Sequence, residues 1–360
     1  MTMRYKLLGN SGLRVSELCL GTMTFGTELG WGTSKEESRK IYDAFMEAGG
    51  NFIDTANLYT GGTSEKFVGE FICSDRERVV LATKYTNSAP TNNPNAAGNQ
   101  RKNMVQSLEA SLKRLGTDYI DVYWLHAWDF MTPVEEVMRA FDDMVRAGKV
   151  LYIGISDTPA WIVSQANVIG GLRGWTQFIG IQVEYSLIER TPERELLPMA
   201  RTLDIGITGY SPLASGILTG KYSKNNRHDS GDAAGEPKRL DKIQFTELSE
   251  RNLKIADEVQ AVADEIGCTP SQVAVNWVRA KNVIPLLGAT KQSQITDNLG
   301  CLNYSLSAEY LRRLDEASKI ELGFPHDFLN KTKAVTYGGW YEQIDNPRNS
   351  GLHVAQAQTA

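Results

Sequence analysis

Four residues able to move a proton and orient a carbonyl group stand at the ends of three successive short apolar runs. Asp54 follows Phe52-Ile53 and opens Asp54-Thr55-Ala56-Asn57-Leu58-Tyr59; Lys84 follows residues 79–82 in Thr83-Lys84-Tyr85; His126 follows the run 120–125. Hydride addition to a carbonyl leaves an alkoxide that needs a proton, and a phenol with an ordinary pKa near 10 is a poor donor at neutral pH. A neighbouring ammonium such as Lys84 favours the phenolate and lowers that pKa, while Asp54 keeps the lysine charged and oriented. His126 can hydrogen-bond the carbonyl oxygen and polarise it. Singly, each has a plain structural reading: Asp54 as a helix cap, Tyr59 as a loop aromatic, Lys84 as a solvated strand end, His126 as a satisfied core group. Their joint occurrence in consecutive units is what singles them out.

Such a set works only if the chain brings three separate segments together. Eight short apolar runs alternate with amphipathic stretches, the pattern of parallel strands joined by covering helices. They are residues 18–20, 52–53, 79–82, 120–125, 152–155, 179–183, 205–207 and 283–287. Between them, Val105, Leu108, Leu112 and Leu115, or Val134, Val137, Met138, Phe141 and Val145, recur at helical spacing and build one apolar face. Pro133 and Pro159 suit helix starts, and Gly116 and Gly148 suit helix ends. Eight such units favour a closed (β/α)8 TIM barrel over an open doubly wound sheet. In that barrel, the second, third and fourth strands are neighbours, and Asp54, Tyr59, Lys84 and His126 converge at the C-terminal rim. An opening hairpin, Tyr5-Lys6-Leu7 and Leu13-Arg14-Val15 around Asn10-Ser11-Gly12, is placed to plug the opposite end.

Three segments break the alternation. Residues 86–99 are rich in Asn, Pro and Ala, residues 222–240 are polar, and residues 323–360 lack clear periodicity. Long irregular pieces in a compact enzyme are active-site lids or linkers; the first two read as lids, and the last ten or so residues as a frayed end. The expected organisation is a single barrel domain over residues 1–329 with long active-site loops, and a C-terminal tail over 330–360 that partly covers the site or is disordered.

The 38 Lys and Arg against 43 Asp and Glu give the 360-residue chain a formal charge of −5, with no basic stripe. Nucleic acid and anionic membrane are therefore poor partners, and a small molecule is the expected one. Residues 1–6 lead into no apolar leader and no stretch approaches a membrane span, so the expected location is cytoplasmic. Oligomeric state is not readable. Cys19, Cys73, Cys268 and Cys301 are scattered singly, as are His126, His228, His326 and His353, and HExxH is absent; no metal site is expected.

With these residues in place, the sequence resembles the aldo-keto reductase superfamily. The matching stretches are Gly21-Thr22-Met23, Asp54 to Tyr59, Thr83-Lys84 and Leu125-His126, and the likeness covers residues 5–329. The resemblance implies an NADPH-dependent reductase of aldehydes or ketones, with Tyr59 as general acid and hydride passed directly from the cofactor. It also implies where the cofactor lies. No Gly-x-Gly-x-x-Gly or Walker A sequence occurs, so a Rossmann or P-loop phosphate site is excluded, and the nicotinamide cofactor would cross the barrel mouth as it does in that family. Ser156, Asp157 and Gln182 resemble the residues that bind the carboxamide, and Tyr210 the one that stacks on the ring. Ser211, Pro212, Leu213, Ser215 and Gly216, with Lys221, resemble the pyrophosphate loop; Gly21, Thr22, Met23 and Asp54 complete the floor. Gly288, Thr290, Lys291, Gln294, Asp297 and Asn298 resemble the adenosine 2′-phosphate pocket at the start of the last barrel helix. That phosphate stretch is also similar to the one in potassium-channel β-subunits.

Two departures matter. Asp157 stands where the family most often has Asn; it can accept from the carboxamide but, ionised, cannot donate to its oxygen. Lys291 offers a point charge where arginine is frequent. NADP(H) is the expected cofactor, with NAD(H) as a substitute. Trp31, Tyr59, Tyr85, His126, Trp128 and Phe130 are expected to line the substrate pocket, with Trp340 closing it. Two other readings share the barrel: a cofactor-sensing, slowly turning binding subunit, and an aldolase-like enzyme with Lys84 as Schiff-base nucleophile.

Overall fold

The computed structural model describes residues 2–28, 30, 32–222 and 247–345. Eight parallel strands close a barrel, each hydrogen-bonded to the next in chain order and the last to the first. They are β3 (Cys19–Gly21), β4 (Phe52–Asp54), β5 (Val80–Tyr85), β6 (Ile120–Leu125), β7 (Val150–Ser156), β8 (Phe178–Glu184), β9 (Gly206–Tyr210) and β10 (Ile284–Leu287). Each of the eight apolar runs became one of these strands. The fold is a (β/α)8 TIM barrel.

Ahead of it, β1 (Tyr5–Leu7) and β2 (Arg14–Ser16) pair antiparallel, the second strand falling one residue later than expected. Leu8 and Val15 from this hairpin are fully buried against Cys19, Phe52, Val80, Val122 and Ile179, residues of the barrel lumen. The Asn10 amide donates to Asp204 O at 2.7 Å beside the start of β9. The hairpin therefore closes the N-terminal end, and the opposite rim is left for chemistry.

The covering helices owe their faces to the three- and four-residue spacing. In α4 (Val134–Arg146), Val137, Met138 and Phe141 are buried while Glu135, Glu136 and Arg139 face out. In α3 (Arg101–Leu115), Leu108 and Leu115 are buried, but Val105 is exposed and Met104 takes its place. Pro133 and Pro159 stand one residue before their helices, where their carbonyls accept from the first turn; Gly116 ends α3 in a left-handed conformation.

Strand alternation splits the interior into two cores. On β5, Val80 and Ala82 face the lumen with Lys84, while Leu81 and Tyr85 belong to the layer under the helices. On β6, Val122 and Trp124 face inward. Trp124 fills the lumen just below the rim, and it does so only because its neighbours lack side chains: a Cβ on Gly154 would lie 2.2 Å from the indole, and one on Gly180 2.8 Å from it. Gly154→Ala is expected to lose about 1–3 kcal/mol of stability through this overlap, read by denaturant unfolding. Adding Trp124→Leu should restore part of the loss if the indole is the cause.

Residues 86–99 form an irregular, largely exposed loop, stitched to the β6 loop where Asn99 and Asp129 exchange backbone-to-carboxylate and backbone-to-amide hydrogen bonds, both 2.7 Å. Most of the 222–240 stretch and the end of the tail lie outside the described residues. The described part of the tail forms two short helices, His326–Lys331 and Lys333–Thr336, with Phe324, Val335 and Trp340 exposed. Among the described residues no helix is long and apolar enough to cross a membrane.

Candidate active site

Lys84 is the centre of the rim. Its side chain is fully buried, and its ammonium donates to Asp54 Oδ2, to Thr55 O at 2.9 Å and to Tyr59 Oη at 3.0 Å. An ammonium has three N–H donors and no acceptor, so these partners use all of them. Because Lys84 donates to the phenol oxygen, the Tyr59 hydrogen must point elsewhere. Asp54 spends its second oxygen on Gln182 Nε2 at 3.1 Å, which ties β4 to β8 across the lumen. The His126 ring meets Tyr59 edge-on, with centroids 6.0 Å apart.

The local chain explains this placement. The pairings Asp54↔Ala82 and Lys84↔Trp124 put β4, β5 and β6 side by side, and alternation sends residues 54, 84 and 126 to the same face. Tyr59 reaches back because residues 59–62 turn tightly, with Thr60 left-handed at φ 48° and its hydroxyl donating to Phe25 O.

Burial sets the electrostatics. It opposes the Lys84 charge, but Asp54 and the Tyr59 oxygen outweigh it and hold the ammonium above its ordinary value. His126 is pushed down to about 3 by burial and then by the Lys84 charge, so it is neutral at pH 7. Burial also lifts the Asp54 carboxyl, against the pull of Lys84. For Tyr59 the expectation of a lowered pKa is corrected: burial raises the phenol, and Lys84 limits the rise without reversing it. The phenol is therefore neutral and keeps its proton until something accepts it.

The rest of the rim is polar as well. Ser156 and Gln182 are buried at the ends of β7 and β8. Asp157 follows with a left-handed φ of 40° and accepts from the Tyr210 hydroxyl at 3.1 Å, joining β7 to β9. After β9, Ser211, Ala214, Ser215 and Gly216 all have positive φ, from 46° to 95°. Three of these carry side chains, each at a cost of about 1–3 kcal/mol, and such strain gathers at ligand sites where backbone amides turn together toward an anion. Pro212 is buried and Leu213 half-buried behind this loop; Lys221 is exposed near the limit of the described residues.

A nicotinamide dinucleotide fits these residues. Two buried polar atoms at the mouth, His126 Nδ1 and Asn57 Oδ1, have no hydrogen-bond partner, which buried polar atoms ordinarily find. Gly288 is exposed with open space above it, and Thr290 and Lys291 lead into the helix Gln292–Leu299. At that helix start, Gln294 Oε1 accepts from the Thr290 amide at 2.8 Å, and Glu37 Oε1 from the Gln292 amide at 2.7 Å.

Several expected residues are used otherwise. Tyr85 lies outside the pocket: as the residue after inward-facing Lys84 it must face outward, and it packs fully buried against Tyr123 and Phe141. The Thr22 hydroxyl is committed inward, to Asp54 O and Ser64, while Gly21 and Met23 are half-exposed. Asp297 accepts from Thr269 and Gln272 at the start of the helix Pro270–Ala280, so its carboxylate secures a helix junction; Asn298 is buried. Trp128 is half-buried and packs on the core, and Phe130 stands 69% exposed. Trp31 lies outside the described residues. Trp124 and Glu184 were not anticipated; the first sits two residues before His126 on the same face, and strand alternation alone would have found it.

Known proteins resemble the chain over most of its length. The aldo/keto reductase family model matches residues 17–319. The chain is 36% identical over 345 residues to a norsolorinic acid reductase of Aspergillus flavus, covering 92% of this chain and 85% of that protein. It is 36% identical over 338 residues to an aryl-alcohol dehydrogenase of Pestalotiopsis microspora, at 91% and 85% coverage. A norsolorinic acid reductase of Emericella nidulans is 37% identical over 341 residues, at 91% and 84%. The family match and these relatives show that the chain belongs to the aldo/keto reductase family.

Proposed function

We propose that this protein is an NADP(H)-dependent reductase of aldehydes or ketones that works reversibly on the corresponding alcohols, with aromatic carbonyl compounds as its substrate class. The family makes it an oxidoreductase of carbonyl or alcohol substrates that uses a nicotinamide cofactor. The observation that carries the finer reading is the exhausted ammonium of Lys84, which leaves the Tyr59 proton free to leave. The names of the relatives, which refer to aryl alcohols and to norsolorinic acid, support the aromatic class.

When bound, the nicotinamide supplies a hydride to the carbonyl carbon. Tyr59 gives its proton to the carbonyl oxygen as negative charge develops there, and Lys84 stabilises the phenolate left behind. His126, kept neutral, offers an N–H to the same oxygen without competing as an acid. Asp54 holds Lys84 charged and in place, and Gln182 holds Asp54. A lysine so engaged is unsuited to Schiff-base chemistry, which needs the neutral amine.

The preference for NADPH is assigned to the Thr290–Lys291 corner. Lys291 would hold a 2′-phosphate there by its charge, and the Glu37 carboxylate would compete with that group for the helix start. Lys291→Ala should weaken NADPH binding about tenfold and leave NADH nearly unchanged, whereas Glu37→Gln should strengthen NADPH. Fluorescence titration of both cofactors measures this, beside steady-state reduction of a panel of aryl and aliphatic aldehydes, ketones, quinones and sugars. Turnover of none of them, with tight NADPH binding, would favour a cofactor-sensing subunit.

A further inference from the structure

The ends of β7, β8 and β9 carry a second cluster of titratable groups that the proton-delivery chemistry leaves unused. Asp157, Glu184 and Tyr210 occupy one arc of the rim, brought together by the pairings Ser156↔Gln182 and Glu184↔Tyr210. Tyr210 donates to Asp157 at 3.1 Å. Across the mouth, Lys84 is matched by Asp54, and His126 is neutral. Among the described residues, neither Asp157 nor Glu184 has an ion pair to offset its charge, although both stand at this rim.

We propose that the Asp157 carboxylate, reinforced by Glu184, makes the site select the oxidised, cationic nicotinamide over the reduced one, so that the protein holds NADP+ more tightly than NADPH. The inference rests on the cofactor placement proposed above. An oxidised nicotinamide ring carries a positive charge and the reduced ring none, while both forms share the same pyrophosphate and 2′-phosphate. A nearby carboxylate therefore discriminates between them by its charge alone. An Asn at this position would keep the hydrogen bond from Tyr210 and lose the discrimination.

The groups facing Asp157 predict a pH dependence. Burial pushes the Asp157 carboxyl up to about 6, opposed by the Tyr210 hydrogen bond and the Lys84 charge. Glu184 is pushed up to about 7 by burial and by the negative charges of Glu189 and Asp157. Tyr210 and Tyr59 are raised phenols and remain neutral. Both carboxyls are thus protonated on the acid side of this range and ionised above it. A cationic ring favours the ionised forms, so its binding must release protons, and its affinity must rise as pH climbs through the range. A neutral reduced ring gains nothing from ionisation. It also loses the one donor, protonated Asp157, that could serve its carboxamide oxygen.

The test is the ratio of Kd for NADPH to Kd for NADP+, from quenching of tryptophan fluorescence at pH 5.5 and pH 8.0 on the full chain. Taking the ratio cancels the titration of the shared phosphates. The ratio is expected to grow about tenfold between the two pH values in the unmodified protein. It should be nearly flat in Asp157→Asn, and intermediate in Glu184→Gln. Asn tolerates the left-handed backbone at this position, so folding should be kept, and far-ultraviolet circular dichroism checks it. A ratio that ignores pH, or is unchanged by Asp157→Asn, overturns the proposal while leaving the cofactor site standing. Failure to bind either form removes the cofactor placement, and this inference with it.

Discussion

Replacing Tyr59 by phenylalanine is expected to lower kcat about 100-fold or more while leaving the NADPH Kd within about twofold. The expectation follows from counting hydrogens at Lys84. Its three N–H groups go to Asp54, Thr55 O and Tyr59 Oη, and the phenol is left with its own hydrogen to give away. Burial makes the phenol a weaker acid than a free one, so it releases that proton only as the alkoxide forms beside it. Removing the hydroxyl takes away the donor and leaves the ring, the turn at 59–62 and the cofactor loops untouched. His126 still polarises the carbonyl, which sets a residual rate above zero. Stopped-flow reduction with saturating NADPH isolates the chemical step. A kcat within tenfold of the unmodified enzyme would assign the proton to another group, and His126 would be the one to examine next.

How far the site could be read beforehand divides along physical lines. The eight strands and their order were legible because buried parallel strands leave compact apolar runs, and the polar residues closing three of them mark the rim. The placing of Tyr85 in the pocket failed on a rule visible in the same three letters. In Thr83-Lys84-Tyr85 only one of two adjacent residues can face the lumen, and the outward side buries Tyr85 beneath α3 and α4. The sign of the Tyr59 shift was not legible, because it depends on how much burial offsets a cation, and depth is a property of the closed barrel. Nor could spacing reveal that Asp297 is claimed by Thr269 and Gln272, from a helix more than 20 residues earlier. Trp124 is an intermediate case: its facing is readable from its distance to His126, but the bare space at Gly154 and Gly180 appears only when β6, β7 and β8 lie side by side.

Lys84→Met should be the most damaging single change, in stability as well as rate. It deletes the cation beside a carboxylate that is 1% exposed, and leaves Asp54 with neutral neighbours such as Gln182. Breaking a buried pair from one side costs about 3–5 kcal/mol, since the surviving carboxyl must either stay charged without its partner or take up a proton in order to fold. Turnover should fall at least as far as in Tyr59→Phe, because the phenolate loses its counter-charge. The pH dependence gives the cause away. Without Lys84, the carboxyl of Asp54 in the folded protein lies far above its unfolded value near 3.9, so the native state binds the extra proton. Stability of the variant must then rise as pH falls from 7 toward 5, and fall as pH rises through the folded value. Adding Asp54→Asn to Lys84→Met removes the buried charge. The double variant should recover most of the lost stability in urea, show no such slope with pH, and remain inactive. Recovery of stability without recovery of rate separates the two duties of Lys84, holding a carboxylate in the barrel and holding a phenol ready to give up its proton. A single variant as stable at pH 7 as the parent would mean that Asp54 was never ionised, and that the charge assigned to this rim is wrong.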